Sequence, residues 1–168
     1  MTYKVTGKLT VKARSSIHDT TTVWDKITGE VVADPSAPGG IEAATATFSV
    51  DMTAFDAGDW LKNRKLRKDF AIEDHPTATF TLERVSDVVK DGASFAAKAQ
   101  GQLRWRGKTV PLKLSGKGSL DADRLTASAS FDLDIKLLGL AAPKFFLFKV
   151  EDVVTVEIAL HGQQGSGS

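Results

Sequence analysis

A two-residue hydrophobic rhythm runs through most of this chain, and it constrains the fold more than any other feature. Tyr3, Val5, Leu9 and Val11 share one parity, with Lys4, Thr6, Lys8, Thr10 and Lys12 on the other. Such alternation places one side of an extended segment in a core and the other in water. The same pattern returns in Ala44, Ala46, Phe48, Val50 and Met52, and in Ala78, Phe80 and Leu82. It continues in Phe95, Ala97, Ala99, Gly101, Leu103 and Trp105, then in Val110, Leu112 and Leu114 after a turn at Arg106-Gly107. Leu125, Ala127, Ala129, Phe131, Leu133 and Ile135 form another set, and Val154, Val156, Ile158 and Leu160 close the chain. A further strand is read over Thr20 to Ala33, broken near Gly29, and Pro35, Pro38, Gly39 and Gly40 mark a loop after it.

About eight long strands joined mostly by short turns favour an all-β fold, an antiparallel barrel or sandwich. The barrel is the expectation adopted here. Eight strands enclose a space that side chains just fill, or that holds one small ligand. The inner parity carries Gly7, Ala44, Ala46, Ala97, Ala99, Gly101, Ala127 and Ala129 among its larger residues. These small residues either leave a cavity or fit the taper of a filled core.

One stretch departs from the rhythm. Trp60 to Lys68 carries Lys62, Arg64, Lys65, Arg67 and Lys68 around Leu61 and Leu66. A short helical insert is predicted near residues 56–69, capped by Asp56 or Asp59. Pro76 ends it, because proline has no N–H and drives His75 toward extended backbone.

The 168 residues, 42% hydrophobic and 26% charged, suit one soluble domain, read as residues 1–162. Residues 163–168 read as a flexible tail, in which Gly165-Ser166-Gly167-Ser168 resembles a linker scar. A net charge of +1 predicts no long-range attraction to nucleic acid or to an anionic membrane, so only the basic insert offers a local patch. With no aromatic residue interleaved inside that run, nucleic acid is not an expected partner. No apolar run is long enough for a stable membrane span. No leader peptide is visible, so the sequence as written reads as cytoplasmic, and a mature exported domain would read as periplasmic. Cysteine is absent, which closes disulfide, thiolate-metal and thiol-nucleophile chemistry.

Catalytic and cofactor motifs are missing. Gly107-Lys108-Thr109 has Gln102 where a phosphate loop needs glycine, and Pro111 follows where a helix should. No G-x-S-x-G, H-E-x-x-H or G-x-G-x-x-G occurs, so no cofactor and no metal are expected. His18, His75 and His161 have no ligand spacing. Asp132 and Asp134 share a strand face but oppose the apolar parity, so they read as a solvated outer face.

Several segments together resemble the YceI-like family of lipocalin-like, polyisoprenoid-binding or lipid-binding barrels. Asn63-Arg64, Leu66-Arg67-Lys68-Asp69-Phe70 and His75-Pro76-Thr77-Ala78-Thr79-Phe80 look like its N-x-x-R-D-x-H-L-R…F-F-D-V…Y-P-x-I-x-F segment. Gly101 to Leu112 looks like its G-x-L-T-x-x-G-x-T-x-P-V hairpin. Ile27-Thr28-Gly29 and Leu138-Gly139-Leu140 resemble its early strand and late turn, so the likeness covers nearly the whole chain.

The resemblance implies a lipocalin-like barrel and a long apolar ligand. The leading expectation is therefore a non-enzymatic carrier or sequestration protein for a polyisoprenoid or fatty acyl lipid. Phe48, Phe80, Phe95, Leu103, Trp105, Leu112, Phe131 and Ile158 would line the lumen, and Arg64, Arg67 or His75 would meet the head group. Two rivals are an enzyme using the lumen as a chamber with His75 or His18 as base, and a filled barrel whose basic insert docks on a protein or membrane. The Phe145-Phe146-Leu147-Phe148 run, or an open strand edge, is a candidate homodimer contact; the run is equally a candidate plug.

Overall fold

The computed structural model describes residues 1–14, 20–140 and 152–165. The chain runs through β1 (Thr2–Ala13), β2 (Thr20–Val32), β3 (Thr45–Asp51), β4 (Phe55–Asp56) and the helix α1 (Trp60–Asp69). It continues through β5 (Thr77–Asp91), β6 (Ser94–Trp105), β7 (Lys108–Leu120), β8 (Arg124–Asp134) and β9 (Val153–Gln164). Two 3-10 turns, Ile72–Asp74 and Ile135–Leu138, flank β5 and follow β8.

All pairings are antiparallel, in the order β1-β9-β8-β7-β6-β5-β3-β2, and β1 closes on β2. Eight strands thus form a closed barrel, and the two-residue β4 is an extra strand laid on β2 through Val23↔Asp56 and Trp24↔Phe55. Closure removes the two long edges that an open sheet of this size would expose. No exposed barrel edge of the kind considered for a dimer remains at β1 or β2.

The strand that was expected to break near Gly29 runs through it without interruption. The irregularity lies earlier. Between Gly7↔Ile27 and Leu9↔Trp24 the β2 side has one residue more than β1, a bulge over Asp25-Lys26. The C-terminal boundary also moves, since β9 extends to Gln164, whose N–H donates to the Asp123 carbonyl at 2.9 Å. Two residues read as tail are therefore strand.

Helix α1 starts at Trp60, later than the expected insert, because Phe55 and Asp56 are taken into β4. Asp59 is its cap, with Oδ1 accepting from the Lys62 N–H at 2.8 Å. Asp56 instead organises the approach, accepting from the Gly58 N–H at 2.9 Å. The single buried residue of α1, Leu66, holds the helix against the barrel end.

Two apolar cores close the two ends. At the end covered by α1, Trp24, Met52, Leu66, Phe70, Ile72, Trp105, Leu133, Ile135 and Leu138 pack with Val154 and Val156. Both indoles there are satisfied: Trp24 Nε1–H donates to the Met52 carbonyl at 3.2 Å and Trp105 Nε1–H to the His75 carbonyl at 2.8 Å. At the opposite end Tyr3, Val5, Val31, Ala33, Ile41, Ala46, Leu120 and Leu125 form the second core. There the fully buried Tyr3 hydroxyl donates to the Asp121 carbonyl.

The wall is not uniformly sealed. The β7–β8 pairs run from Leu120↔Leu125 only to Ser115↔Ser130, so β7 parts from β8 over Lys108 to Leu114. Pro111, which cannot donate to a ladder, sits on that free length. The Ile135–Leu138 turn packs beside it.

Candidate functional site

The space between the two cores is the candidate site. A side chain that points into a filled barrel is fully buried, as Tyr3 and Val110 are at the ends. Midway along the wall this fails. Phe48, Val50, Phe80, Leu82, Ala97, Ala99, Leu103, Leu114, Ala129, Phe131, Ile158 and Leu160 share the inward parity and are only half-buried. Apolar residues that face inward yet keep accessible surface are not fully packed by the described side chains around them.

Local sequence explains part of this. Phe48 and Phe80 pair across β3 and β5, with ring centroids 6.4 Å apart and planes 22° from parallel. Each ring lies against the wall over a glycine of the next strand. A Cβ on Gly29 would fall 2.6 Å from Phe48 Cδ1, and one on Gly101 2.4 Å from Phe80 Cζ. Glycine at these two positions lets the aromatics fold flat instead of projecting into the lumen.

The opposite wall is small by composition. Ala97, Gly116 and Ala129 lie in register across β6, β7 and β8, with Gly118 and Ala127 one step along. At mid-height the rings on β3 and β5 therefore face a band of methyls and bare backbone on β6, β7 and β8, with Leu103, Leu114 and Phe131 continuing the wall toward the α1 end. The lining named above has no ionisable side chain, and no buried side-chain nitrogen or oxygen among the described residues lacks a hydrogen-bond partner. Such a lining favours an apolar guest.

Of the eight lining residues expected from the sequence, Phe80, Leu103, Phe131 and Ile158 pack on the α1-end core, and Phe48 and Phe95 on the other. Trp105 and Leu112 are buried members of the α1-end core itself. Pattern reading passed over Gly116 and Gly118, although both continue the parity of Val110, Leu112 and Leu114. It placed Leu9, Val50, Leu82 and Leu160 on the apolar parity without counting them among the lining residues.

The three rim residues are placed differently from one another. Arg64 is exposed on the outer face of α1. Arg67 pairs with Glu73, donates from Nη2 to the Thr53 carbonyl at 3.3 Å, and lies over the Phe55 ring at 5.3 Å. His75 is half-buried beyond the helix, and its carbonyl receives the Trp105 indole.

Arg106 had no expected role, and it joins three pieces of this end. It sits in left-handed backbone, φ 56°, in the tight turn with Gly107, φ 71°. Its guanidinium lies 5.9 Å from the Trp105 ring and donates to the Phe70 carbonyl at the end of α1 and, at 3.3 Å, to the Leu138 carbonyl. The hairpin, the helix and the 3-10 turn are thereby tied together over the barrel end.

His161 is exposed on β9, and His18 lies outside the described residues, as does Phe145-Phe146-Leu147-Phe148. No group of three His, Asp or Glu suited to a metal occurs among the described residues. Asp132 Oδ1 accepts from the Thr155 hydroxyl at 3.0 Å on the outer surface, and Asp134 caps the second 3-10 turn through the Lys136 N–H, also at 3.0 Å. No described helix is long and apolar enough to cross a membrane.

A closed eight-stranded antiparallel barrel with an apolar inward face defines a lipocalin-like fold. The model of the YceI-like domain matches residues 2–161, and the chain belongs to that family. Two solved structures share the fold at a TM-score of 0.75. The crystal structure of Burkholderia cenocepacia BcnA is 19% identical, over 92% of this chain and 95% of that one. A polyisoprenoid binding domain from Saccharophagus degradans, implicated in plant cell wall breakdown, is 14% identical over 97% and 98%. A Campylobacter jejuni YCEI protein superposes at 0.69 with 14% identity, over 86% and 85%. A search of curated proteins returned no match.

Proposed function

We propose that this barrel binds a long apolar chain, a polyisoprenoid or fatty acyl lipid, and carries or sequesters it without altering it. The carrying observation is the belt of inward-facing residues, Phe48, Phe80, Leu103, Phe131 and Ile158, that stays half-buried between two closed cores. The description of the Saccharophagus degradans domain as polyisoprenoid-binding supports the same ligand class. Each methylene transferred from water to this lining contributes about 0.8 kcal/mol, so a modest length of tail suffices for useful affinity.

A polar head emerging at the α1 end would meet His75 before Arg64. Arg67 would reach it only by leaving Glu73 and Thr53. An apolar lining with no titratable group among its described residues supports a binding role over an enzymatic one.

Native mass spectrometry of the purified protein, with solvent extraction of whatever accompanies it, tests the reading. A retained lipid, or stoichiometric uptake of an added polyprenyl or fatty acyl compound, is expected. The Ala129→Phe variant, which places a ring in the lumen, should remain folded and take up none. A parent protein that neither retains nor takes up any such chain would overturn the proposal.

A further inference from the structure

Helix α1 buries one side against the barrel and leaves the other without a partner among the described residues. Trp60, Arg64 and Lys68 follow one another at four-residue intervals along the free side, and Leu61 and Lys65 occupy the adjacent row. Trp60 is 71% exposed and Leu61 46%, whereas the chain's other two tryptophans, Trp24 and Trp105, are 4% and 7% exposed. Leu137, 57% exposed, lies at the same end in the second 3-10 turn.

The helix holds five of the chain's 22 Lys and Arg but one of its 21 Asp and Glu. Three of these cations are paired: Lys62 with Asp59 at 4.0 Å, Lys65 with Asp69 at 3.0 Å, and Arg67 with Glu73. Arg64 and Lys68, the two that follow Trp60 on its row, have no ion pair among the described residues. An exposed indole and leucine that open the helix, followed along one face by two unpaired cations, match the chemistry of a membrane interface. The indole suits the head-group level, and the cations suit anionic lipid.

We propose that the free face of α1 docks the barrel on an anionic lipid bilayer. Indole and leucine enter the head-group layer while Arg64 and Lys68 neutralise lipid phosphates. The near-neutral whole chain brings no long-range field, so the contact is local and brief, and the α1 end of the barrel faces the bilayer. Only its biological sense rests on the lumen reading, because an apolar cargo must be collected from or delivered to a lipid phase. Docking itself is measured on protein with or without cargo, so either reading can fail alone.

Trp60 supplies the probe. On titration with vesicles of phosphatidylcholine containing phosphatidylglycerol, its emission should shift to the blue, with co-sedimentation that falls as salt rises. The Arg64→Gln, Lys68→Gln double variant should bind roughly 30-fold more weakly. The Trp60→Phe variant should lose the spectral shift and keep its fold, since the side chain is exposed. Absence of binding to these vesicles would overturn the proposal. Equal binding to pure phosphatidylcholine, or undiminished binding by the double variant, would do so too. So would retention by RNA without retention by vesicles.

Discussion

At the residue scale, Tyr3 and Arg106 hold the two ends by opposite means. Burial first, then the carboxylates of Asp121, Asp34 and Asp123, push the Tyr3 hydroxyl above its ordinary value of 10.0. The unfolded chain releases that proton at the ordinary value and the folded chain only above it. The stabilisation is whole below about pH 10 and is lost as pH rises further. Denaturant midpoints measured from neutral to strongly alkaline pH should therefore fall for the parent and flatten in Tyr3→Phe. Asp34, Asp51 and Asp121 lie on the other limb. Asp34 and Asp51 are held below the usual carboxylate range by the hydroxyls of Ser36 and Thr53, and Asp121 by backbone N–H groups of Arg124 and Asp123. Their contribution is present above about pH 4 and is lost in acid. Arg106 acts through geometry instead. Arg106→Ala removes two donations and a ring contact from the α1 end, and a loss of about 1–3 kcal/mol in equilibrium unfolding is expected.

Among the elements, the aromatic-over-glycine pairs and the capped helix carry separable costs. Gly101→Ala would put a methyl 2.4 Å from both Phe80 Cζ and the Thr81 carbonyl oxygen, so ring and backbone must both move. A destabilisation of about 1–3 kcal/mol by chemical denaturation is expected, as for other overpacked sites. Asp59→Ala leaves the strands untouched but deprives α1 of its cap, at a cost of about 1 kcal/mol. The loss should appear as faster amide exchange in Leu61 to Asn63 before it appears anywhere in β5 to β9. These elements were not equally legible in the sequence. Long strands could be read from alternation because one wall face meets an apolar interior and the other meets water. The start of α1 could not, since Phe55 has the right character for either element, and only its pairing with Trp24 assigns it to β4.

For the whole molecule, the lumen is a property of eight strands together, which is why its openness could not be decided from parity. Ala97 or Gly116 alone is compatible with a filled taper. Their alignment with Ala129 across three strands, facing rings laid flat on Gly29 and Gly101, appears only when the strands are assembled. The Arg106 clasp was illegible for a similar reason, since Phe70 and Leu138 lie far from it in sequence and meet it only at the closed end. If the lumen holds cargo, binding must register in global stability. A fatty acyl or polyprenyl ligand at 100 times its Kd should add about 2.7 kcal/mol to the unfolding free energy. Scanning calorimetry should show that gain in the parent and none in Ala129→Phe.

The parting of β7 from β8 beyond Ser115↔Ser130 has its own consequence for how the barrel opens in time. A ladder frays from where it already ends, and Pro111, which has no N–H to donate, sits on the stretch of β7 that has lost β8. Deuterium should therefore enter the wall at Leu112 and Leu114 well before it reaches Lys117 or Ser119, which are flanked by strands on both sides. The slowest protons should lie in the opposite sector, where β1 is laddered along nearly its whole length to both β2 and β9. Exchange would then trace a single seam down one side of a barrel whose remaining staves stay closed.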